Sequence, residues 1–176
     1  MDLFEAIRSR ASVRAFEKVD ISDAQLEQIL DAGRRAPSGR NRQPIEFIVI
    51  RNAGTLAKLA ESQACIAGAS VAIAIAGDPE RSEFWLEDIS AATENMLLAI
   101  TALGYASVWI EGTLRALEER HKETLGLPKH MRLVVVLPIG KPARSTGSGQ
   151  AGPVKQPDKR ALNDIVHWER FGNRRG

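Results

Sequence analysis

Three side chains near the N-terminus are spaced for anion binding. In Arg8-Ser9-Arg10-Ala11-Ser12-Val13-Arg14-Ala15-Phe16, the residues Arg10, Ser12 and Arg14 alternate, and in an extended chain alternate side chains point to one side. Two guanidinium forks with a hydroxyl between them suit a terminal phosphate, because each fork can give two parallel charge-assisted hydrogen bonds. A solvated basic edge accounts for the same residues. Glu111-Gly112 follows an apolar run; a glycine at a strand end lets backbone approach a flat ligand closely, since no Cβ intervenes. A plain turn accounts for that pair equally. The polar stretch Pro37-Ser38-Gly39-Arg40-Asn41-Arg42-Gln43-Pro44 is bounded by prolines and reads as a loop.

Other chemistries have no footing. His121, His130 and His167 share no metal-ligand spacing, and Cys65, the one cysteine, has no thiolate partner. His121 falls in the charged run Glu118-Glu119-Arg120-His121-Lys122-Glu123, which reads as a solvated helix face, and His167 beside Trp168 reads as a packed or capping residue. Gly147-Ser148-Gly149-Gln150-Ala151-Gly152 matches the dinucleotide fingerprint in letters only. That motif requires a strand directly before it and a helix opening directly after it; here Pro153 begins Pro-Val-Lys-Gln-Pro, so the run is a loop. Phosphate-loop, nucleophile-elbow and zinc-protease motifs do not occur.

The elements that must hold the basic segment and the glycine are legible from patterning. A chain of 176 residues is about the length of one domain, and residues 1–176 are read as a single domain. With 44% hydrophobic and 26% charged residues it has the composition of a folded globular protein. The net charge of +2 is too balanced to imply nucleic acid. Acids at Asp2 and Glu5 contradict a secretory leader, and the apolar run Val71 to Ala76 is too short to span a bilayer. With one cysteine, a cytoplasmic protein away from membranes is expected.

Helices are predicted over 2–10 with Leu3, Phe4 and Ile7 inward, from 22 behind the capping box Ser22-Asp23-Ala24-Gln25, and over 55–63, 82–103 and 114–125. Gly104 closes the longest of these. Its broad apolar face, with Ile89, Met96, Leu97 and Ile100, fits either a central core helix or one shared with a second subunit. Strands are predicted over 45–50, 70–77, 105–110 and 133–139. The stretch 141–157 is rich in Gly, Pro, Ser and Gln and reads as a loop or arm. A short amphipathic segment with Leu162, Ile165, Val166, Trp168 and Phe171 closes the chain. The sum is a mixed α/β layered architecture.

Taken in order, these segments resemble one family, the FMN-dependent nitroreductases. Arg10-Ala11-Ser12-Val13-Arg14-Ala15-Phe16 is similar to its N-terminal basic motif, and Ala36 to Pro44 to its Ala-Pro-Ser-x-x-Asn-x-Gln-Pro loop. The stretch from Asp88 through Asn95-Met96-Leu97-Leu98, Ala102-Leu103-Gly104 and Trp109-Ile110-Glu111-Gly112 is similar to its central helix and following strand. Gly126-Leu127-Pro128 and Pro138-Ile139-Gly140-Lys141-Pro142 continue the likeness, and Arg160 resembles a C-terminal arginine of the family.

The resemblance implies an α+β fold, a three-layer α/β/α sandwich with a mostly antiparallel sheet, assembled as an intertwined homodimer with FMN at the interface. It implies that Arg10, Ser12 and Arg14 bind the FMN phosphate and ribityl end, with Arg160 completing the phosphate site. Pro37, Ser38, Gly39 and Asn41 would reach the same FMN from the other subunit, and Glu111 and Gly112 would lie over the ring, the Gly112 N–H near flavin N5. Ala11, inside the same cofactor-binding segment, stands where many members carry a second basic residue, which leaves the phosphate one contact fewer. Ile45 replaces a tryptophan common after Gln-Pro. The implied activity is ping-pong hydride transfer from NADH or NADPH through FMN to a small planar acceptor such as a nitroaromatic or quinone. Reductive dehalogenation, enone reduction and a non-catalytic flavin sensor are the alternatives on the same site. A nucleic-acid role for Arg34, Arg35, Arg40 and Arg42 lacks interleaved aromatic residues.

Overall fold

A strand without a polar side chain must be covered on both faces, and Val71–Gly77 (β3) is buried at every position. The computed structural model describes residues 1–143 and 156–174. In it β3 lies between Ile45–Ile50 (β2) and Arg132–Ile139 (β4), antiparallel to both. Val71, Ile73 and Ile75 face Asp23–Arg34 (α2) and Trp85–Ala102 (α4), through Leu26, Ile29, Ile89, Met96 and Ile100. Ala72 and Ala74 face the other layer, Ala53–Leu59 (α3), the turn Ala64–Gly68, Gly112–Arg115 (α5) and Glu118–Leu125 (α6), through Leu56, Leu59, Ile66 and Leu114. The three-layer α/β/α sandwich with an antiparallel sheet is therefore present. Between Ile75 and Ala76 the register slips, and Leu133 takes the place opposite Ala76 while Val135 stays opposite Ile75. The extra residue, Val134, puts two consecutive side chains on the α4 face, as a bulge does.

Local chemistry sets the helix ends. Ser22 accepts the Gln25 N–H and Gln25 accepts the Ser22 N–H, the capping box expected from the sequence. The first helix, Leu3–Ser9 (α1), has a second such box from Asp2 and Glu5. At the end of α4, Gly104 sits at φ +77°. Its N–H bonds the Thr101 carbonyl at 2.9 Å and that of Tyr105 bonds Ile100 at 3.0 Å, a Schellman closure that a residue with a Cβ enters only at a cost.

Four expectations are corrected. First, α1 buries Ala6, whereas Leu3, Phe4 and Ile7 lie exposed on this chain; a small residue is what close approach to α4 allows. Second, 105–110 is no continuous strand. Ala106 pairs with Gly140 and Ile110 with Val136, in one register. The hydrogen-bonded pair midway between them, Val108 opposite Pro138, cannot be completed because proline has no N–H. Third, 114–125 is two pieces: Leu117 donates to the Leu114 carbonyl at 3.0 Å, and this tight turn sets α5 on β4 and α6 against α3 and β4. Glu118 of α6 accepts both Nε and Nη2 of Arg132 at 2.7 and 2.9 Å, and Arg132 holds its carboxyl below the ordinary range.

Fourth, His121 is not solvated. It is buried, and neither ring nitrogen has a hydrogen-bond partner. Burial pushes its pKa down, so the unfolded chain takes up a proton that the native chain refuses. The contribution is complete above the unfolded value and is lost as pH falls below about 6.5. The slope approaches ~1.4 kcal/mol per pH unit. Urea denaturation of wild type and His121→Leu at pH 7.5, 6.5 and 5.5 is expected to show a shallower loss in the variant; equal slopes would refute the assignment.

Phe16–Glu17 (β1) pairs with Lys141–Pro142 (β5). Residues 144–155 of the 141–157 loop, with its Gly147–Gly152 run, lie outside the described residues. In the closing segment Leu162, Ile165, Val166, Trp168 and Phe171 are all exposed, Phe171 at 92%. His167 accepts the Gly172 N–H at 3.0 Å and faces the Phe171 ring, a capping role in keeping with its reading. The Gln156 side chain donates to the Ile7 carbonyl at 2.6 Å, tying this segment to α1. No helix among the described residues is long and apolar enough to cross a membrane.

Candidate functional site

The basic segment is extended, as its chemistry requires. Arg10 leaves α1 with φ −57° and ψ 123°. Ser12 bridges Ser107 in parallel, and Val13 donates to the Ser107 carbonyl at 2.9 Å. Val13 is buried while Ser12 and Arg14 are exposed on either side of it, so the alternation read from the sequence holds in space. The two guanidiniums differ. Arg10 is half-buried, its Nε 3.6 Å from a Glu94 carboxylate oxygen of α4. Arg14 stands at the surface near Cys65 and partly offsets the rise that burial imposes on that thiol. Ala11 is half-buried between Arg10 and Ser12.

The second candidate pair follows on the segment that Ser107 shares with Ser12. Four residues beyond Ser107 is Glu111. One of its oxygens accepts the Trp109 indole N–H at 3.1 Å and the other pairs with Arg115. Gly112 opens α5, is exposed, and a Cβ there would meet nothing within 4 Å. Its N–H is one of those a helix start leaves without an intrahelical acceptor. Arg14, Ser12 and Gly112 thus lie on neighbouring chain segments joined through Ser107. A flat anionic molecule could be held there by charge at one end and backbone at the other.

The loop after α2 is anchored elsewhere. Gly39–Asn41 is one tight turn, closed by Asn41 N–H on the Ser38 carbonyl at 2.9 Å and Gln43 N–H on Ser38 Oγ at 3.1 Å. Arg40, Asn41 and Gln43 have φ of 52°, 57° and 49°, a region that costs a non-glycine residue roughly 1–2 kcal/mol. Pro37 and Asn41 are exposed, Ser38 and Gly39 half-buried. The Gly39 N–H bonds Asp88 of α4 at 2.9 Å. The basic segment reaches α4 at Glu94, six residues on, which is about 9 Å along the axis and on another side of the helix. Among the described residues the hydrogen bonds of this loop run to itself, to α4 and to Asp78, and none joins it to 10–14 or 111–112. Within one chain Ser107 links the segment of Arg10, Ser12 and Arg14 to the one that leads into Glu111 and Gly112, whereas the 37–41 loop is anchored on α4 at Asp88. Arg160 is exposed and donates to the Asp164 carbonyl at 2.8 Å within its own segment.

Three residues that place these groups had no site role assigned from sequence: Ser107, Glu94 and Asp88, the last named only as the start of the family-like stretch. Only Asp88 leaves a trace. It shares the helical stripe of Trp85, Ala92 and Met96, and an acid on an otherwise apolar stripe needs a partner.

The chain is similar to known proteins along most of its length. The model of the nitroreductase family matches residues 7–67 and 61–141. A protein of Archaeoglobus fulgidus, provisionally named NADH dehydrogenase/NAD(P)H nitroreductase, is 37% identical over 97% of this chain and 99% of its own. Among solved structures, one of the same provisional name from Bacteroides thetaiotaomicron has a TM-score of 0.84 at 28% identity, covering 96% of this chain and 98% of that one. A provisionally named nitroreductase from Desulfovibrio desulfuricans, solved in complex with FMN, has a TM-score of 0.80 at 30% identity, covering 97% and 98%. A family model that spans most of the sequence, and a relative alike from end to end, lead to one conclusion: this chain belongs to the nitroreductase family of oxidoreductases.

Proposed function

We propose that this protein is an FMN-dependent NAD(P)H oxidoreductase that works as a homodimer and reduces a small planar acceptor such as a nitroaromatic or a quinone. The observation that carries the reading is that the exposed Arg14 and Ser12 stand on a segment bridged at Ser107 to the segment that leads into the exposed, open backbone of Gly112. These groups fit FMN: a dianionic phosphate takes the fork and hydroxyl, and a flat ring takes a surface with no Cβ in the way. The chemistry that bound FMN supplies is hydride transfer, from NADH or NADPH and then to the acceptor.

The chain's own part is to bind and orient. Arg14 and Ser12 hold the phosphate end, with Arg10, the Ala11 backbone and Arg160 completing that site. The Gly112 N–H points a donor at the ring, while Trp109 and Arg115 keep the Glu111 carboxylate turned toward the protein. Pro37, Ser38, Gly39 and Asn41 serve the cofactor of the partner subunit, a role that suits a loop anchored on α4 rather than on its own chain's basic segment. The exposed Leu3, Phe4 and Ile7 of α1 and the apolar closing segment supply surface for that partner. Donor and acceptor use one place in turn, so ping-pong kinetics follow. A lone thiol suits the reducing cytoplasm.

The test is the visible spectrum of the purified protein, followed without oxygen as NADPH and then NADH are added. Flavin bands that bleach support the reading and identify the donor. Flavin that stays oxidised points to a sensor or another donor, and a colourless protein that FMN cannot reconstitute overturns the reading.

A further inference from the structure

We propose that Asp88, which nothing in the binding scheme above uses, is the positioning residue for the 37–43 loop and, through it, for the contact that loop makes with cofactor; the inference rests on the functional reading just given. The loop needs an external anchor. Three of its non-glycine residues, Arg40, Asn41 and Gln43, have positive φ, and such backbone persists only where its surroundings over-determine it.

The start of α4 provides a socket. Asp88 is 5% exposed. One carboxylate oxygen accepts the Gly39 N–H at 2.9 Å and the other the Ser82 hydroxyl at 3.4 Å. Ser82 in turn accepts the Phe84 N–H at 3.2 Å, which ties Ser82 to the residue that caps α4. The Phe84 ring covers Gly39 so closely that a Cβ there would lie 2.4 Å from its Cδ2. A buried carboxylate keeps its place only with donors around it, and the first turn of a helix favours an acid. The bond from the Gly39 N–H is short, at 2.9 Å. The loop is therefore placed by α4, a core helix, and its ligand-facing residues inherit the rigidity of the core. Gly39 suits the socket because the ring leaves no room for a side chain. Asp88 touches no ligand itself; it acts through Gly39.

The experiment titrates apoprotein with FMN, following flavin fluorescence well below the melting temperature, for wild type, Asp88→Ala and Asp88→Asn. Asparagine keeps an oxygen that can accept the Gly39 N–H. The expected order of affinity is wild type, then Asn within a few-fold, then Ala weaker by about tenfold or more. A merely structural aspartate would lower the melting temperature of both variants and leave their FMN affinity equal to wild type. That outcome overturns the proposal, as does equal weakening by Asn and Ala. Gly39→Ala provides a route that leaves Asp88 in place. It should weaken FMN binding, and adding Phe84→Ala should recover part of the loss. If Asp88→Ala does not fold, this pair decides, and Gly39→Ala binding FMN as wild type does refutes the idea. Wild-type protein that cannot bind FMN at all would instead overturn the functional reading.

Discussion

Arg14→Ala should bind FMN about 10- to 150-fold more weakly than wild type, the loss expected when a charge-assisted hydrogen bond to an ionised group is removed. Arg14 is the group on the basic segment that charge makes dominant. Its side chain is exposed beside exposed Ser12, whereas Arg10 already has Glu94 at 3.6 Å. The buried Val13 between them keeps the backbone extended without help from Arg14, so the variant should keep the fold, melting temperature and sedimentation of wild type. Titration of apoprotein with FMN, together with circular dichroism and sedimentation, checks all three. Arg10→Ala should cost less, since Glu94 competes for its fork. Unchanged retention in Arg14→Ala would show that the phosphate is held elsewhere.

Ile73→Ala should be the more damaging change to the fold. Ile73 is fully buried in the middle strand, opposite Val49 on β2 and Leu137 on β4, and packs toward α2 and α4. Truncating an isoleucine in such a core costs about 2–5 kcal/mol, the removed methyl groups and the cavity both counting. Typical domains are stable by only about 5–15 kcal/mol, so this one change consumes a large fraction. A fall in the urea midpoint with an unchanged slope is expected. Val49→Ala, on the half-exposed edge strand β2, should shift the midpoint much less, and equal shifts would contradict the layering described here.

How far the sequence carried can be judged element by element. Strands β2 and β3 were legible because β-branched runs bounded by turn residues leave little choice. The start of α2 was legible because Ser22 and Gln25 form a local capping box, and the end of α4 because Gly104 is needed at positive φ. The alternation of Arg10, Ser12 and Arg14 around Val13 was likewise a local property. Each of these depends on residues within a few positions of one another, so the chain states them directly.

What failed depended on partners distant along the chain. Tyr105 to Ile110 has strand composition, yet Pro138 on the neighbouring β4 withholds the N–H that would complete the ladder. His121 sits in a run of charges, yet packing of α6 against α3 buries it. Leu3, Phe4 and Ile7 have the spacing of an inward face, yet α4 accepts only Ala6. The site follows the same division. The residue types and spacing by themselves gave an alternating basic segment that suits a phosphate, an open glycine after an apolar run, and a family likeness that the comparisons support. Only the tertiary structure decided that Ser107 joins the basic segment to the strand segment before Gly112, and that Asp88 and Phe84 hold the 37–43 loop on α4. The physical reason is that a hydrogen bond or a buried charge is fixed by what lies across from it in space, and sequence spacing reports only what lies along the chain.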